Sequence, residues 1–374
     1  MPRSSADTLS DPPAADVIEV SIFGPGKGES VVVHLGHNRW IVVDSCKDQR
    51  VRRQARTVSP LSYLDRIGVD CSKAVELVVA THAHDDHFAG IAEVFRKCES
   101  AKFVCSRAIT KEEFAALTLV DRQVLSELLP RAYSEYRRVF QIIKERSGPG
   151  PGFRPMKYAY EKRQLLDDDG RNGASVISLS PSDEAVSRSL EALASAMPSP
   201  GNTRKAILAD PNELAVALWV EVSGKAMILG ADLPRGPDGC GWVAVLASFV
   251  PPLKASLFKI PHHGSVTGHH EDVWSDLLED SPIAVLAPFR GGDVRLPEPS
   301  DAARILSFTP DAFITALPEV PAASAAVRKE AAALGPLASQ VREVWGKVGH
   351  VRARSRIGEV TWDVDLATPA VRLT

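Results

Sequence analysis

The stretch Thr81-His82-Ala83-His84-Asp85-Asp86-His87-Phe88-Ala89-Gly90 constrains this chain more than any other. It reads H-x-H-x-D-H, four side chains able to ligate metal within six positions. The apolar run Val75-Glu76-Leu77-Val78-Val79-Ala80 directly before it predicts a buried strand, so the cluster falls in the loop where that strand ends. Side chains alternate along a strand, which sends His82 and His84 to one side. Asp86 and His87 follow on the turn, so one pair suits one ion and the other pair a neighbour. Imidazole with carboxylate favours zinc, and manganese or iron fits the same ligand chemistry. Three of the ten histidines crowd into six positions with an Asp in register, which a polar loop seldom shows by chance.

A chain of 374 residues has material for one large domain or two ordinary ones. Its hydrophobic share of 44% and charged share of 24% are those of a globular protein. A net charge of -3 announces no global basic field for nucleic acid, although it leaves a local groove open. No apolar run reaches membrane-spanning length, and Met1 to Asp16 is polar and Pro/Ala-rich without a signal-peptide core, so a cytoplasmic protein with no membrane partner is expected. Five cysteines (Cys46, Cys71, Cys98, Cys105, Cys240) form no C-x-x-C pair and are odd in number, which argues for reduced, mostly buried thiols.

Ahead of the cluster, Val17 to Phe23 alternates as a strand and Gly24 to Gly28 turns. Ser30 to Leu35 and Trp40 to Val43 read as a hairpin whose second strand delivers Asp44 at its end, a position suited to orienting metal ligands from behind. Pro60 to Ile67 predicts a helix stopped by Gly68; Ile91 to Lys97 predicts another, and Lys102 to Cys105 the next strand. This alternation is the α/β signature. Thr110 to Arg146 reads as helical with a break at Pro130, and the basic residues from Arg131 to Arg163 read as a solvated face rather than a substrate wall.

The second half restarts with a strand at Val176 to Leu179 and a capped helix through Met197. Strands Leu214 to Val222 and Ala226 to Leu229 follow, the second ending at Gly230-Ala231-Asp232, where a carboxylate with two oxygens suits a bridge between ions. Strand Leu257 to Ile260 runs into Pro261-His262-His263-Gly264-Ser265, which offers one ligand and one histidine free for proton transfer. His269 and His270 read as surface residues. Ile283 to Ala287 reads as the final core strand, followed by a loop carrying Arg290. Ala322 to Leu334 predicts a helix, and Val351 to Arg356 with Glu359 to Leu366 a closing hairpin whose arginines line a wet face.

The three stations in this order resemble the metallo-β-lactamase superfamily, and within it the hydrolase-like domain of bacterial DNA-uptake channel proteins. The resemblance rests on Gly24-Pro25-Gly26-Lys27-Gly28-Glu29-Ser30, Trp40-Ile41-Val42-Val43-Asp44, His82-Ala83-His84-Asp85-Asp86-His87, Gly230-Ala231-Asp232 and His262-His263-Gly264-Ser265, and it spans roughly 17–287. It implies an αββα sandwich, read here over 17–320; outside the resemblance stand a helical insert at about 108–170, a flexible start at 1–16, and a C-terminal helix and β-hairpin at 321–374 packed on the same domain. By the same resemblance, His82 and His84 hold one divalent ion, Asp86 and His87 a second, Asp232 bridges, and His263 (less readily His262) completes the second site. Asp86, His262 and Asp44 are the expected catalytic and orienting groups.

Two departures stand out. Asn212 occupies the region where many relatives carry a further His, which leaves a weaker first site or a single-ion enzyme open. Glu298-Pro299 stands where relatives often have His-Pro. The expected function is a metal-dependent hydrolase acting on phosphodiesters, with nucleic acid or a nucleotide as substrate. Lactam or thioester hydrolysis, and a metal-binding subunit of weak or regulated activity serving bacterial defence with a protein partner or a second copy, are the alternatives.

Overall fold

A computed structural model describes residues 3–6, 9–24, 28–47, 58–107, 130–148, 152–168, 170, 172–196, 210–291, 293–318 and 348–374. Within them the chain forms two large mixed sheets packed face to face with helices on both outer sides, an α/β sandwich. The nine-stranded sheet runs in the order Arg3–Ala6, Asp363–Ala367, Gly349–Arg356, Val17–Gly24, Ser30–His34, Trp40–Val43, Val75–Ala80, Lys102–Ser106, Met156–Ala159. The eight-stranded sheet runs Val371–Arg372, Ala312–Ile314, Leu278–Leu286, Ala255–Lys259, Lys225–Leu229, Leu218–Val222, Ser175–Ser178, Arg163–Leu166.

Burial of both sheet faces explains why the central strands are apolar throughout rather than alternating. Ile41 and Val43 point into the space between the sheets while Val42 points out under the helices. Leu77 and Val79 divide from Val78 in the same way, and Met227 and Leu229 from Ile228. On the first sheet's outer face Tyr63, Phe95, Val139 and Ile142 come from the helices Ser59–Arg66, Ile91–Lys97 and Pro130–Arg146. Trp242, Trp274 and Ile305 cover the second.

Each sheet contains a parallel block: Trp40–Val43, Val75–Ala80 and Lys102–Ser106 in one, Lys225–Leu229, Ala255–Lys259 and Leu278–Leu286 in the other. Parallel neighbours end at the same edge. Functional groups carried on the carboxyl tips of such strands are thereby brought to one rim.

Several expectations change. Of the arginines of Gly349–Arg356 only Arg356 is exposed: Arg352 is buried, donating to Asp365 Oδ2 at 2.7 Å and Asp11 Oδ1 at 3.0 Å, and Arg354 donates to buried Glu19. Carboxylates from neighbouring strands and from the N-terminal segment satisfy charges that would otherwise need water. Leu214 belongs to a 3-10 turn, Pro211–Leu214, and the strand begins only at Leu218. Ile283 to Ala287 is not the last core strand, since Ala312–Ile314 pairs beside it after a small hairpin of Phe289–Gly291 and Val294–Leu296. His269 is half-buried against Phe308, with ring centroids 5.4 Å apart, and His270 is half-buried too. Met156–Ala159 and Arg163–Leu166 are strands on the edges of the two sheets. The helix readings over 112–129 and 322–334 lie outside the described residues. Among the described residues no helix is long and apolar enough to cross a membrane.

Leu77 is 1% exposed at the centre of the sandwich. Leu77→Ala is expected to lower unfolding free energy by about 2–5 kcal/mol in a urea titration. Val360, 80% exposed, serves as the control, where truncation shifts stability by under about 0.5 kcal/mol.

Candidate metal centre

The rim gathers one residue after another from strand tips. Asp44 follows Trp40–Val43, Thr81 and His82 follow Val75–Ala80, Asp232 follows Lys225–Leu229, His263 follows Ala255–Lys259, and Ala287 follows Leu278–Leu286. Glu29 arrives from the opposite sense, just before Ser30–His34, which is antiparallel to Trp40–Val43. Its turn is tight. Gly28 sits at φ +114°, and a Cβ there would meet Asp86 O and Cys46 Cβ at 2.9 Å each, so no other residue lets Glu29 N donate to Asp86 O.

Second contacts fix which nitrogen of each imidazole faces inward. His87 Nδ1 donates to Asp44 Oδ2 at 2.7 Å, and His263 Nδ1 donates to Ala287 O at 3.0 Å. Thr81 gives its backbone N–H to Asp44 Oδ1 and its hydroxyl to Asp44 Oδ2, at 2.8 and 2.7 Å. With that hydroxyl proton committed, His82 Nδ1 is the donor in its 2.9 Å contact with Thr81 Oγ1. All three rings therefore turn Nε2 into the pocket, the arrangement that outer contacts impose on metal-binding histidines.

The inward atoms fall into three groups that share members: His82, His84 and Asp232; Asp86, His87 and His263; and Glu29, His87 and Asp232. His263 Nε2 lies 3.3 Å from Asp232 Oδ2 and 3.4 Å from Asp86 Oδ2, and His87 Nε2 lies 3.4 Å from Asp232 Oδ1. His82 Nε2 is 3.8 Å from Asp232 Oδ2. Two ligand atoms around one tetrahedral zinc at roughly 2.1 Å are about 3.4 Å apart. Meanwhile His87 Nε2, His263 Nε2 and Asp232 Oδ1 are buried without a hydrogen-bond partner. Buried polar atoms are rarely left so, and a shared cation satisfies all of them. The donor set and its spacing fit divalent metal.

Charge gives the same answer. Glu29, Asp44, Asp86 and Asp232 are all buried, against one buried lysine among the described residues, Lys259. Burial alone would discharge them, yet the His87 and His263 cations hold Asp86 and Asp232 well below the usual carboxylate range. In return, and again against burial, Asp232, Glu29 and Asp44 hold His87 well above its ordinary value. Asp232 and Asp86 lift His263 to about 10. His82 goes the other way, lowered by burial first and then by the His87 charge. Protons on His87 and His263 thus stand where metal charge would.

Backbone strain is present at the rim. Asp44, Ala231, His262 and His263 have φ of 57°, 47°, 47° and 53°, left-handed values that cost on the order of 1 kcal/mol or more each for residues with a Cβ. The strain is held by specific bonds: Asp44 N to Val79 O, His262 N to Ala231 O, and Arg304 Nη2 to Gly264 O at 2.6 Å.

Of the two adjacent histidines, His263 joins the pocket. His262 lies beside it, half-buried, with Nδ1 2.8 Å from Thr267 Oγ1. Asn212 is buried on its 3-10 turn with Oδ1 unpartnered, in the segment tied to the cluster by Val216 N to Thr81 O. Glu298 caps the helix Pro299–Phe308. Arg290 is on the strand Phe289–Gly291, where the Phe289 ring packs 5.2 Å from that of His263. Cys46 is buried, within reach of Ser59. Sequence reasoning passed over Thr81, Lys259 and the role of Glu29. Lys259 carried a signal: a lone cation inside an apolar strand leading into His-His-Gly has to be paired inside the protein.

No family model matches the chain, and no curated protein matches it. Among solved structures it is similar to a variant of CmlA beta-hydroxylase, at 12% identity over 67% of this chain and 36% of that one, with a TM-score of 0.34. It is similar to Zn(2+)-bound PqqB from Methylobacterium extorquens, at 14% identity over 54% of this chain and 51% of that one, TM-score 0.25. A third likeness is to the metallo-beta-lactamase FIM-1 from Pseudomonas aeruginosa in a mono-zinc form, at 12% identity over 62% and 71% of the two chains, TM-score 0.26. The chain spans about a third and a half of the first two proteins. These likenesses concern the fold and carry nothing about activity.

Proposed function

We propose that the chain is a metal-dependent hydrolase of phosphodiester bonds, with nucleic acid or a nucleotide as its substrate. The observation that carries this reading is Asp232: its Oδ2 lies 3.8 Å from His82 Nε2 and 3.3 Å from His263 Nε2, and its Oδ1 lies 3.4 Å from His87 Nε2, so one carboxylate serves both ligand groups. Zinc suits the nitrogen-rich donor set first, and manganese is the second candidate. When bound, a divalent pair supplies Lewis acidity that polarises the scissile centre and makes water nucleophilic near neutral pH.

The chain's own residues do the rest. Asp44 and Thr81 lock His87 and His82 so that their Nε2 atoms need no reorientation. Asp86, kept ionised, accepts a hydrogen bond from the attacking water and orients it. His262, half-buried at the rim and outside both ligand groups, is placed to pass a proton to the departing oxygen. The text likeness to DNA-uptake hydrolase domains and the adjacency of two cation groups support an anionic diester over a lactam or thioester. One observation favours a second reading, a metal-binding subunit of weak or regulated activity: the first group has only His82, His84 and the shared Asp232.

Elemental analysis of purified protein, followed by turnover assays on a bis-aryl phosphodiester, single-stranded DNA and a lactam, separates these readings. Metal with diester cleavage supports the proposal; lactam cleavage alone, or metal without turnover, rejects it. The pair His84→Ala and Asp86→Ala is expected to cut turnover by at least about 1000-fold while the circular dichroism spectrum is kept, as removing metal-held groups removes the chemistry. Asp44→Asn, which takes the charge from behind His87, should weaken zinc binding by about 10–100-fold in isothermal titration. Chelation should lower the melting temperature, and added zinc should restore it.

A further inference from the structure

Lys259 is among the largest fully buried side chains of the protein, 1% exposed, yet it carries a charge. Its ammonium pairs with Glu29, which is 2% exposed, donates to Ala231 O at 2.9 Å, and stands 4.0 Å from Asp232 Oδ1. Glu29, His87 and Asp232 themselves form a third group whose ligand atoms lie close enough to hold an ion. Two cations do not share one place. The ammonium already lies between two of the three members of that group.

We infer that Lys259 is the resident cation of this third group: it cancels the charge of Glu29 and closes the group to metal, so that the pocket takes ions only at the two groups around Asp232. The inference rests on the metal-dependent reading above and deepens it. Four buried carboxylates and one lysine, with two divalent ions and neutral imidazoles, leave the pocket with one positive charge in excess; without the lysine the same pocket would be neutral. A single excess positive charge matches a phosphodiester, which is a monoanion, better than an uncharged lactam or thioester. Lys259 is a positioning and charge-setting residue, not a group that touches substrate.

The inference predicts opposite signs for two single variants, which a merely structural ion pair does not. Zinc affinity is measured by isothermal titration on the intact chain, with bound zinc counted by elemental analysis. Lys259→Met removes a positive charge from the pocket and frees the third group, so zinc should bind at least tenfold more tightly. Glu29→Gln leaves the lysine uncancelled beside Asp232, so zinc should bind at least tenfold more weakly. The double variant removes a pair that was neutral together, which proteins tolerate better than loss of either partner, and should bind zinc within about threefold of wild type. Should a single variant fail to fold, the double variant decides: near-wild-type affinity supports the assignment, and a tenfold loss overturns it. Weaker binding in both single variants also overturns it, while leaving the hydrolase reading in place. A wild-type chain that takes up no zinc or manganese at all overturns both.

Discussion

Buried negative charge at the meeting of two sheets is the constraint on which the rest of the structure depends. Four carboxylates from four separate parts of the chain share one buried pocket, where Lys259 and the raised His87 and His263 stand opposite them. Such a concentration is tolerable only where opposite charge is supplied and every remaining lone pair is satisfied. The hydrogen bonds behind the imidazoles, through Asp44, Thr81 and the Ala287 carbonyl, are the means of aiming the pocket.

That arrangement needs a rigid frame. Parallel blocks in both sheets bring their carboxyl tips to one rim, and three layers of apolar packing, one between the sheets and one on each outer face, keep the tips from moving apart. Against that frame the chain holds four side-chain-bearing residues in left-handed backbone conformations at the rim. Strain of this kind persists where surrounding contacts over-determine the geometry, and it commonly marks a functional site. Here the contacts are visible: Lys259 and Arg304 each donate to a carbonyl of a strained loop.

The legible part of the protein was the part governed by local rules. H-x-H-x-D-H after an apolar strand, an Asp at each of two other strand ends, and His-His after a third were readable because period-two alternation and turn chemistry act over a few residues. The central strands Val17–Gly24, Ser30–His34, Trp40–Val43 and Val75–Ala80 were readable for the same reason. Errors came from partners distant in sequence. The arginines at 352 and 354 looked solvent-facing because nothing nearby showed that Asp11, Glu19 and Asp365 would meet them. The short Phe289–Gly291 and Val294–Leu296 strands, and the edge strands at 156–159 and 163–166, pair too few residues to leave a period in the text.

The sequence by itself determined the chemical inventory: which donors exist, their local spacing, and that they sit at the ends of buried strands. Only tertiary structure decided which donors meet. It put His263 rather than its neighbour among the pocket's donors, locked the imidazoles of His87 and His263 by partners distant in the chain, and set Lys259 against Glu29 across 230 positions of chain. The physical reason is that ligand convergence depends on strand order and register between two sheets, which are set by the packing of whole faces and leave no mark in any short window of residues.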